Sequence, residues 1–303
     1  MSRVLVTGAT GFIGRHALEP LVGAGHDVHA LSRRAAPPHS PAGVHWHGGD
    51  LLADSASVVE HVLPDRLLHL AWYAEHGRFW TSTENVRWVE ATLGLVRAFA
   101  AAGGVRAVCA GTCAEYDWTT DGKALAEDSP QRPSTLYGAA KHATHQVLEA
   151  AAGELGIELG WGRVFFLYGP DEDERRLVAS VAGALARGER AETGAGNQRR
   201  DLMHVGDVGA AFAALVESDV RGAVNVASGE DRTLREVIEA IGRAAGRPDL
   251  LDIGALPPRP GDPEALVADV TRLREEVGFR PRVALDEGLA ATVEWWRARM
   301  AAS

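Results

Sequence analysis

Val4-Leu5-Val6-Thr7-Gly8-Ala9-Thr10-Gly11-Phe12-Ile13-Gly14 stands at the head of the chain and decides its fold. Three apolar residues in a row suit a strand buried on both faces. The glycines then mark a turn that opens a helix. Gly8 permits the tight turn, Gly11 lets the backbone come close to a ligand, and Gly14 lets helix and strand pack together. The first N–H groups of such a helix lack partners and carry the positive end of its dipole, which suits phosphate. The spacing, Gly-x-x-Gly-x-x-Gly, is one residue longer than the common dinucleotide fingerprint, so the strand–turn–helix setting carries the reading. Gly8, Thr10, Gly11, Phe12, Ile13 and Gly14 are the expected pyrophosphate cradle.

Outward from this turn, short apolar runs alternate with longer helical patterns. Residues 4–7, 27–31, 67–71, 105–110 and 159–165 read as buried strands, and 12–24, 83–102 and 135–155 as helices. That alternation predicts a parallel, doubly wound sheet of Rossmann type in an α/β protein. Further on, 175–187, 234–245 and 285–299 read as helices and 221–227 as a strand that returns to the sheet. The expected division is an NAD(P)-binding domain over residues 1–165, with a return segment at 205–228, and a smaller, mainly substrate-binding lobe over 166–303. Residues 34–43, with three prolines, read as a surface loop.

Composition narrows the function classes. The chain has 303 residues, 46 % of them apolar, which is enough for a full-sized core. A formal charge of −10 argues against nucleic acid as a partner, because no basic field would draw in a phosphate backbone. Cys109 and Cys113 have neither zinc-knuckle nor redox-pair spacing and read as reduced thiols. His45 and His47 lack a third ligand and read as the outward face of a strand, so no metal is expected. With no apolar run long enough to span a bilayer and no basic leader, a soluble cytoplasmic protein is expected.

The second chemical motif is Tyr137-Gly138-Ala139-Ala140-Lys141. Four residues apart on a helix, the phenol and the ammonium share a face. A neighbouring cation favours phenolate, which predicts a phenol moved towards neutrality and able to act as general acid or base. The chain contains only two lysines and four tyrosines, so this spacing is unlike a chance pairing. Thr112, at the end of an apolar strand, offers a hydroxyl to a reacting carbonyl oxygen.

Together these residues resemble the extended short-chain dehydrogenase/reductase family, in particular its nucleotide-sugar epimerase, dehydratase and ketoreductase branch. The resemblance also takes in Gly49-Asp50-Leu51, His69-Leu70-Ala71, Asn85, Arg163 to Pro170, Arg200 to Val208, Asn225-Val226-Ala227 and Arg259-Pro260-Gly261-Asp262. It implies that Asp50 and Leu51 flank an adenine and that Leu70 and Ala71 border the cofactor. Lys141 would reach the nicotinamide ribose, and Arg200 and Arg259 would hold a substrate diphosphate. A homodimer through the helices at 83–102 and 135–155 is the family's usual assembly.

Three departures from the family pattern set the finer expectation. Where relatives that use NAD carry an acid after the second strand, this chain reads Ser32-Arg33-Arg34, which suits a ribose 2′-phosphate and hence NADP(H), with NAD(H) an open alternative. Cys113 and Ala114 occupy the positions of the dehydratase acids, and Glu115 is expected to point elsewhere. Phe166 stands where epimerases often place an asparagine that contacts the substrate diphosphate, and it is itself a candidate substrate contact. The segment from Trp72 to Trp80 is aromatic, and Trp72 and His76 are candidate substrate contacts. The resulting expectation is NADPH-dependent reduction of a nucleotide-linked 4-keto-deoxyhexose. The alternatives are a nucleotide-sugar epimerase with retained cofactor, a reductase of non-sugar carbonyls, and a non-catalytic NADP sensor. A sensor would have little use for the tyrosine–lysine pair.

Overall fold

The computed structural model describes residues 2–33, 40–119, 122–258 and 261–301. The first six strands are β1 (Arg3–Thr7), β2 (Asp27–Ser32), β3 (Val44–Gly48), β4 (Arg66–His69), β5 (Arg106–Thr112) and β6 (Glu158–Val164). Shorter strands follow: β7 (Phe166–Tyr168), β8 (Ala191–Thr193), β9 (Arg199–Arg200), β10 (Leu202–His204), β11 (Gly222–Val226), β12 (Arg232–Thr233), β13 (Leu251–Ile253) and β14 (Ala265–Leu266). The helices are α1 (Gly14–Gly23), α2 (Ser57–Val62), α3 (Glu84–Ala101), α4 (Leu136–Leu155), α5 (Leu177–Ala186) and α6 (Val205–Glu217). The last three are α7 (Leu234–Ala244), α8 (Thr271–Glu275) and α9 (Leu285–Ala301).

Seven parallel strands make the main sheet, in the order β11-β6-β5-β4-β1-β2-β3. Helices cover both of its faces, as a doubly wound Rossmann-type fold requires. Alternation along β1 shows how the sheet divides its core. Val4 and Val6 pack in the cluster that holds Leu18 and Leu21 of α1 and Val208 and Phe212 of α6. Leu5 points the other way, into the cluster of Val59, Leu95 and Phe99 from α2 and α3. A third cluster joins α5, α7 and α9 through Val181, Ile241 and Trp296, outside the main sheet.

The expected end of one strand and the expected start of one helix move, for a physical reason. β4 ends at His69, before the expected residue 71, because Leu70 and Ala71 leave the ladder to pass the turn after β1, where Leu70 N–H donates to the Thr7 carbonyl at 3.1 Å. Likewise α1 starts at Gly14 and not at Phe12, since Gly8 to Ile13 form the cradle itself. Helix α6 was not legible as a helix, because its two glycines and nearly continuous burial erase the amphipathic stripe. Its C-terminal carbonyls are met by arginines: Arg66 donates to Val216, and Arg106 Nη2 to Leu215 at 2.8 Å.

His45 and His47 do share one face of β3, and His29 on β2 joins them, with Nδ1 2.8 Å from His47 Nε2. Among the described residues no group of metal-ligating side chains converges on a common point.

Candidate active site

The strand order reverses between β1 and β4, and a cavity of about 590 Å³ opens at their C-terminal ends. Open α/β sheets bind ligands at such a switch point. Gly8 takes φ +71°, and a methyl group added to it would lie 2.6 Å from the Ala71 nitrogen. A methyl on Gly14 would overlap the Gly8 carbonyl oxygen and come within 2.8 Å of Ala9 Cα. No side chain caps the start of α1. A glycine-walled turn leading to an uncapped helix end fits a dinucleotide pyrophosphate.

Every described cofactor residue expected from the sequence lines this cavity: Gly8, Thr10, Gly11, Phe12, Ile13, Gly14, Ser32, Arg33, Asp50, Leu51, Leu70, Ala71 and Lys141. Arg34 lies outside the described residues.

Thr112 closes β5 and caps the short 3-10 turn Cys113–Glu115, accepting from Ala114 N–H at 3.2 Å. Glu115 points away from the cavity, as expected, but it is a 3-10 turn and not a strand that directs it there. Its carboxylate accepts from the Thr112 backbone N–H at 2.8 Å, from Trp161 Nε1 at 2.9 Å and from Arg163 Nε at 2.9 Å. Fully buried and fully engaged, Glu115 is not available to a substrate.

Tyr137 sits in the first turn of α4, which Thr135 caps by accepting from Gly138 N–H at 3.1 Å. Thr112 and Tyr137 line the cavity together, and the Thr112 hydroxyl acts on the phenol. Lys141, one turn on, donates to the Ala110 carbonyl at 2.7 Å, and its Nζ stands 3.8 Å from the centroid of the Trp72 ring.

The electrostatics correct the simple expectation. Burial holds the Tyr137 phenol above its ordinary range, and the Thr112 hydroxyl only partly offsets this. Burial pushes Lys141 down to about 7, against the pull of Glu115 and Cys109. Desolvation penalises the charged form of each, and at these two buried positions it outweighs the help of the neighbouring groups.

Aromatic rings wall the far end of the cavity: Trp72, Phe79, Trp80, Trp88, Trp118 and Phe166. Phe79 and Trp80 meet the Tyr137 ring edge-on, with centroids 5.0 and 5.8 Å away. Trp72 and Phe166 therefore lie where the sequence placed them, whereas His76 is not among the lining residues and acts on Asp173 of the facing loop. Arg200 is also set back from the lining. It is buried, donates to Asp262 at 2.6 Å and stacks on the Phe166 ring at 5.3 Å, so it reaches the cavity through those two residues. Arg259 lies outside the described residues.

Sequence reading missed Trp88, Trp118 and Arg176. Arg176 lines the cavity just before α5, and among the described residues its guanidinium makes no hydrogen bond. Its charge acts on Tyr137 and on Glu172. The Arg175-Arg176 pair that follows Gly169-Pro170 was the available signal.

The profile of the NAD dependent epimerase/dehydratase family matches residues 4–227. The UDP-glucose 4-epimerase of Mycolicibacterium smegmatis is 32 % identical over 313 residues, spanning 97 % of this chain and 98 % of the relative. Among solved structures, the UDP-glucose 4-epimerase of Thermus thermophilus in complex with NAD superposes with a TM-score of 0.84 at 31 % identity, covering 97 % of this chain and 99 % of that one. The UDP-N-acetylglucosamine 4-epimerase of Methanobrevibacter ruminantium, in complex with UDP-N-acetylmuramic acid, gives 0.87 at 26 % identity, with 99 % of each chain covered.

Proposed function

Since this chain belongs to the NAD dependent epimerase/dehydratase family, we propose that it interconverts two nucleotide-linked hexoses by oxidising and re-reducing one sugar carbon. This reverses the order of the two leading expectations, because the relatives are named as 4-epimerases and none of those above as a reductase. A bound nicotinamide dinucleotide supplies a hydride acceptor that becomes the donor in the second half of the reaction. Tyr137 takes the proton of the sugar hydroxyl and later returns it, while Thr112 holds the same oxygen by hydrogen bonding. Lys141 keeps positive charge near the phenol, and the ring of aromatic side chains keeps water from the oxidised carbon. Arg176 meets an anionic group of the substrate.

The observation that carries this reading is that Thr112 and Tyr137 line the same cleft as the glycine cradle, with no free carboxylate beside Thr112 among the described residues. Cys113 and Ala114 follow Thr112, and Glu115 is locked by Trp161 and Arg163. The test is incubation with UDP-glucose as the sole sugar. Appearance of UDP-galactose without net loss of NAD(P) absorbance supports the reading, and no epimer from any nucleotide-linked hexose overturns it.

One observation favours the reductase as second reading. Ser32 and Arg33 line the adenosine end with no carboxylate at the close of β2, which suits the 2′-phosphate of NADPH. Consumption of one NADPH per nucleotide-linked 4-keto-6-deoxyhexose would promote it. We also infer a homodimer through the outward faces of α3 and α4, where Val86, Leu136 and Val147 are exposed. Among the described residues no helix is long and apolar enough to cross a membrane.

A further inference from the structure

The aromatic loop after β4 begins with Trp72, and this ring is held more firmly than a cavity wall requires. Its Nε1 donates to Asn85 Oδ1 at 2.8 Å. Asn85 is itself fully buried, and its amide donates to the Phe79 and Ser82 carbonyls at 2.7 and 2.8 Å. Trp88 packs against the indole with centroids 6.2 Å apart. The ring so fixed presents its face to the Lys141 ammonium, 3.8 Å from the centroid.

A buried ammonium has three N–H groups to satisfy. Among the described residues Lys141 has one hydrogen-bond acceptor, the Ala110 carbonyl at 2.7 Å, and none of its bonds goes to Tyr137; with the proposed cofactor bound, a ribose hydroxyl would take a second N–H and leave the third to the indole face. The other groups around it give little. Glu115, on the 3-10 turn, shares its charge with Arg163 at 2.9 Å. Cys109, on β5, is a thiol pushed up to about 12 by burial and so stays uncharged. His69, at the end of β4, is held neutral by burial, down to about 3, and bonds Thr7 and Thr92. Tyr137 on α4 is buried and protonated. The π face of Trp72 is therefore the electron-rich surface that supplements the single carbonyl.

We propose that Trp72 is the positioning residue for Lys141, its indole face holding the ammonium in register with Tyr137. The charge is then retained at neutral pH although burial works against it. A charged Lys141 makes the phenolate of Tyr137 accessible during proton transfer. The inference rests on the reading of Tyr137 and Lys141 as the reacting pair, but its test needs no turnover. Failure to epimerise any sugar would sink that reading and leave this measurement standing.

The chain has two lysines, Lys123 and Lys141, so protein labelled with 13C at lysine Cε gives two signals to follow by NMR through a pH titration. Exposed Lys123 serves as the internal reference. Wild type, Trp72→Phe and Trp72→Leu are compared as full-length folded proteins. Both variants lose the bond to Asn85, but only Trp72→Leu loses the aromatic face. The expected Lys141 midpoint stays near the wild-type value in Trp72→Phe. In Trp72→Leu it falls by about one pH unit, a tenfold change in protonation that matches a desolvated cation–π contact. Equal midpoints in all three proteins would overturn the proposal, as would equal displacement in both variants, which would assign the effect to the Asn85 bond. If Trp72→Leu does not fold, Trp72→Met fills the space without a ring and gives the same two outcomes.

Discussion

The two ends of the active cleft are made of different material. At the dinucleotide end the wall is backbone: Gly8, Gly11 and Gly14 against the chain at Leu70 and Ala71. At the other end, where the proposed function puts the sugar, the wall is side chain: Trp72, Phe79, Trp80, Trp118 and Phe166, drawn from separate segments of the chain. A backbone wall has no rotamers with which to absorb an added atom, whereas an aromatic wall can repack around a changed ligand. The first fixes one cofactor class, and the second leaves room for substrates to differ among related enzymes.

The largest expected effect breaks the backbone wall. Gly14→Val puts a branched carbon into the space of the Gly8 carbonyl and should cost ~3–5 kcal/mol, with loss of NAD(P) binding. Thermal unfolding and cofactor titration would measure both losses. The matching change in the aromatic wall, Trp118→Phe, should leave cofactor affinity within about twofold, and an equal loss there would erase the distinction between the two ends.

A second test concerns the support behind the aromatic wall, where Glu172 acts with the lining residue Arg176. Glu172, between β7 and α5, is buried with one carboxylate oxygen that has no partner among the described residues, and burial pushes it up to about 8 despite Arg176. A carboxyl raised in the folded state contributes stability that is present below its unfolded pKa of 4.5 and is lost as pH rises through about 8. Glu172→Gln should remove that decline, leaving the variant more stable than wild type at alkaline pH by on the order of 2–4 kcal/mol. Parallel stability curves for the two proteins above neutrality would refute the assignment. Smaller again is the effect expected at the adenosine end, where side chains rather than backbone choose between NAD and NADP. Arg33→Asp should weaken NADP binding by ~1–3 kcal/mol and spare NAD, as loss of a charge-assisted contact does. Unchanged affinity for both cofactors would remove Arg33 from the site.

This contrast also explains what could be read from the sequence. The backbone end was legible because glycine spacing after an apolar run is a local signal, and the residues that use it are neighbours in the chain. Tyr137 and Lys141 were legible for the same reason, lying one helical turn apart. Trp88, Trp118 and Arg176 were not, since tertiary packing of separate segments brings them to the cavity. Arg200 misled in the other direction: its position in the chain was recognisable, but its pairing with Asp262 and stacking on Phe166 set it back from the lining. The Tyr137 phenol was expected to move towards neutrality, and burial moved it the other way, because desolvation depends on the whole enclosure and not on one neighbour.

The central claim is that one carbon is oxidised and re-reduced within one cleft, with Tyr137 moving the proton. Its most direct test uses a nucleotide-linked hexose carrying deuterium on C4, incubated with wild type and with Tyr137→Phe. The account predicts that wild type forms the C4 epimer with deuterium retained on C4 and no net change in cofactor absorbance. It also predicts that Tyr137→Phe binds cofactor normally and turns over ~10²–10⁴ times more slowly. Deuterium lost to solvent, or near-normal turnover without the phenol hydroxyl, would contradict it.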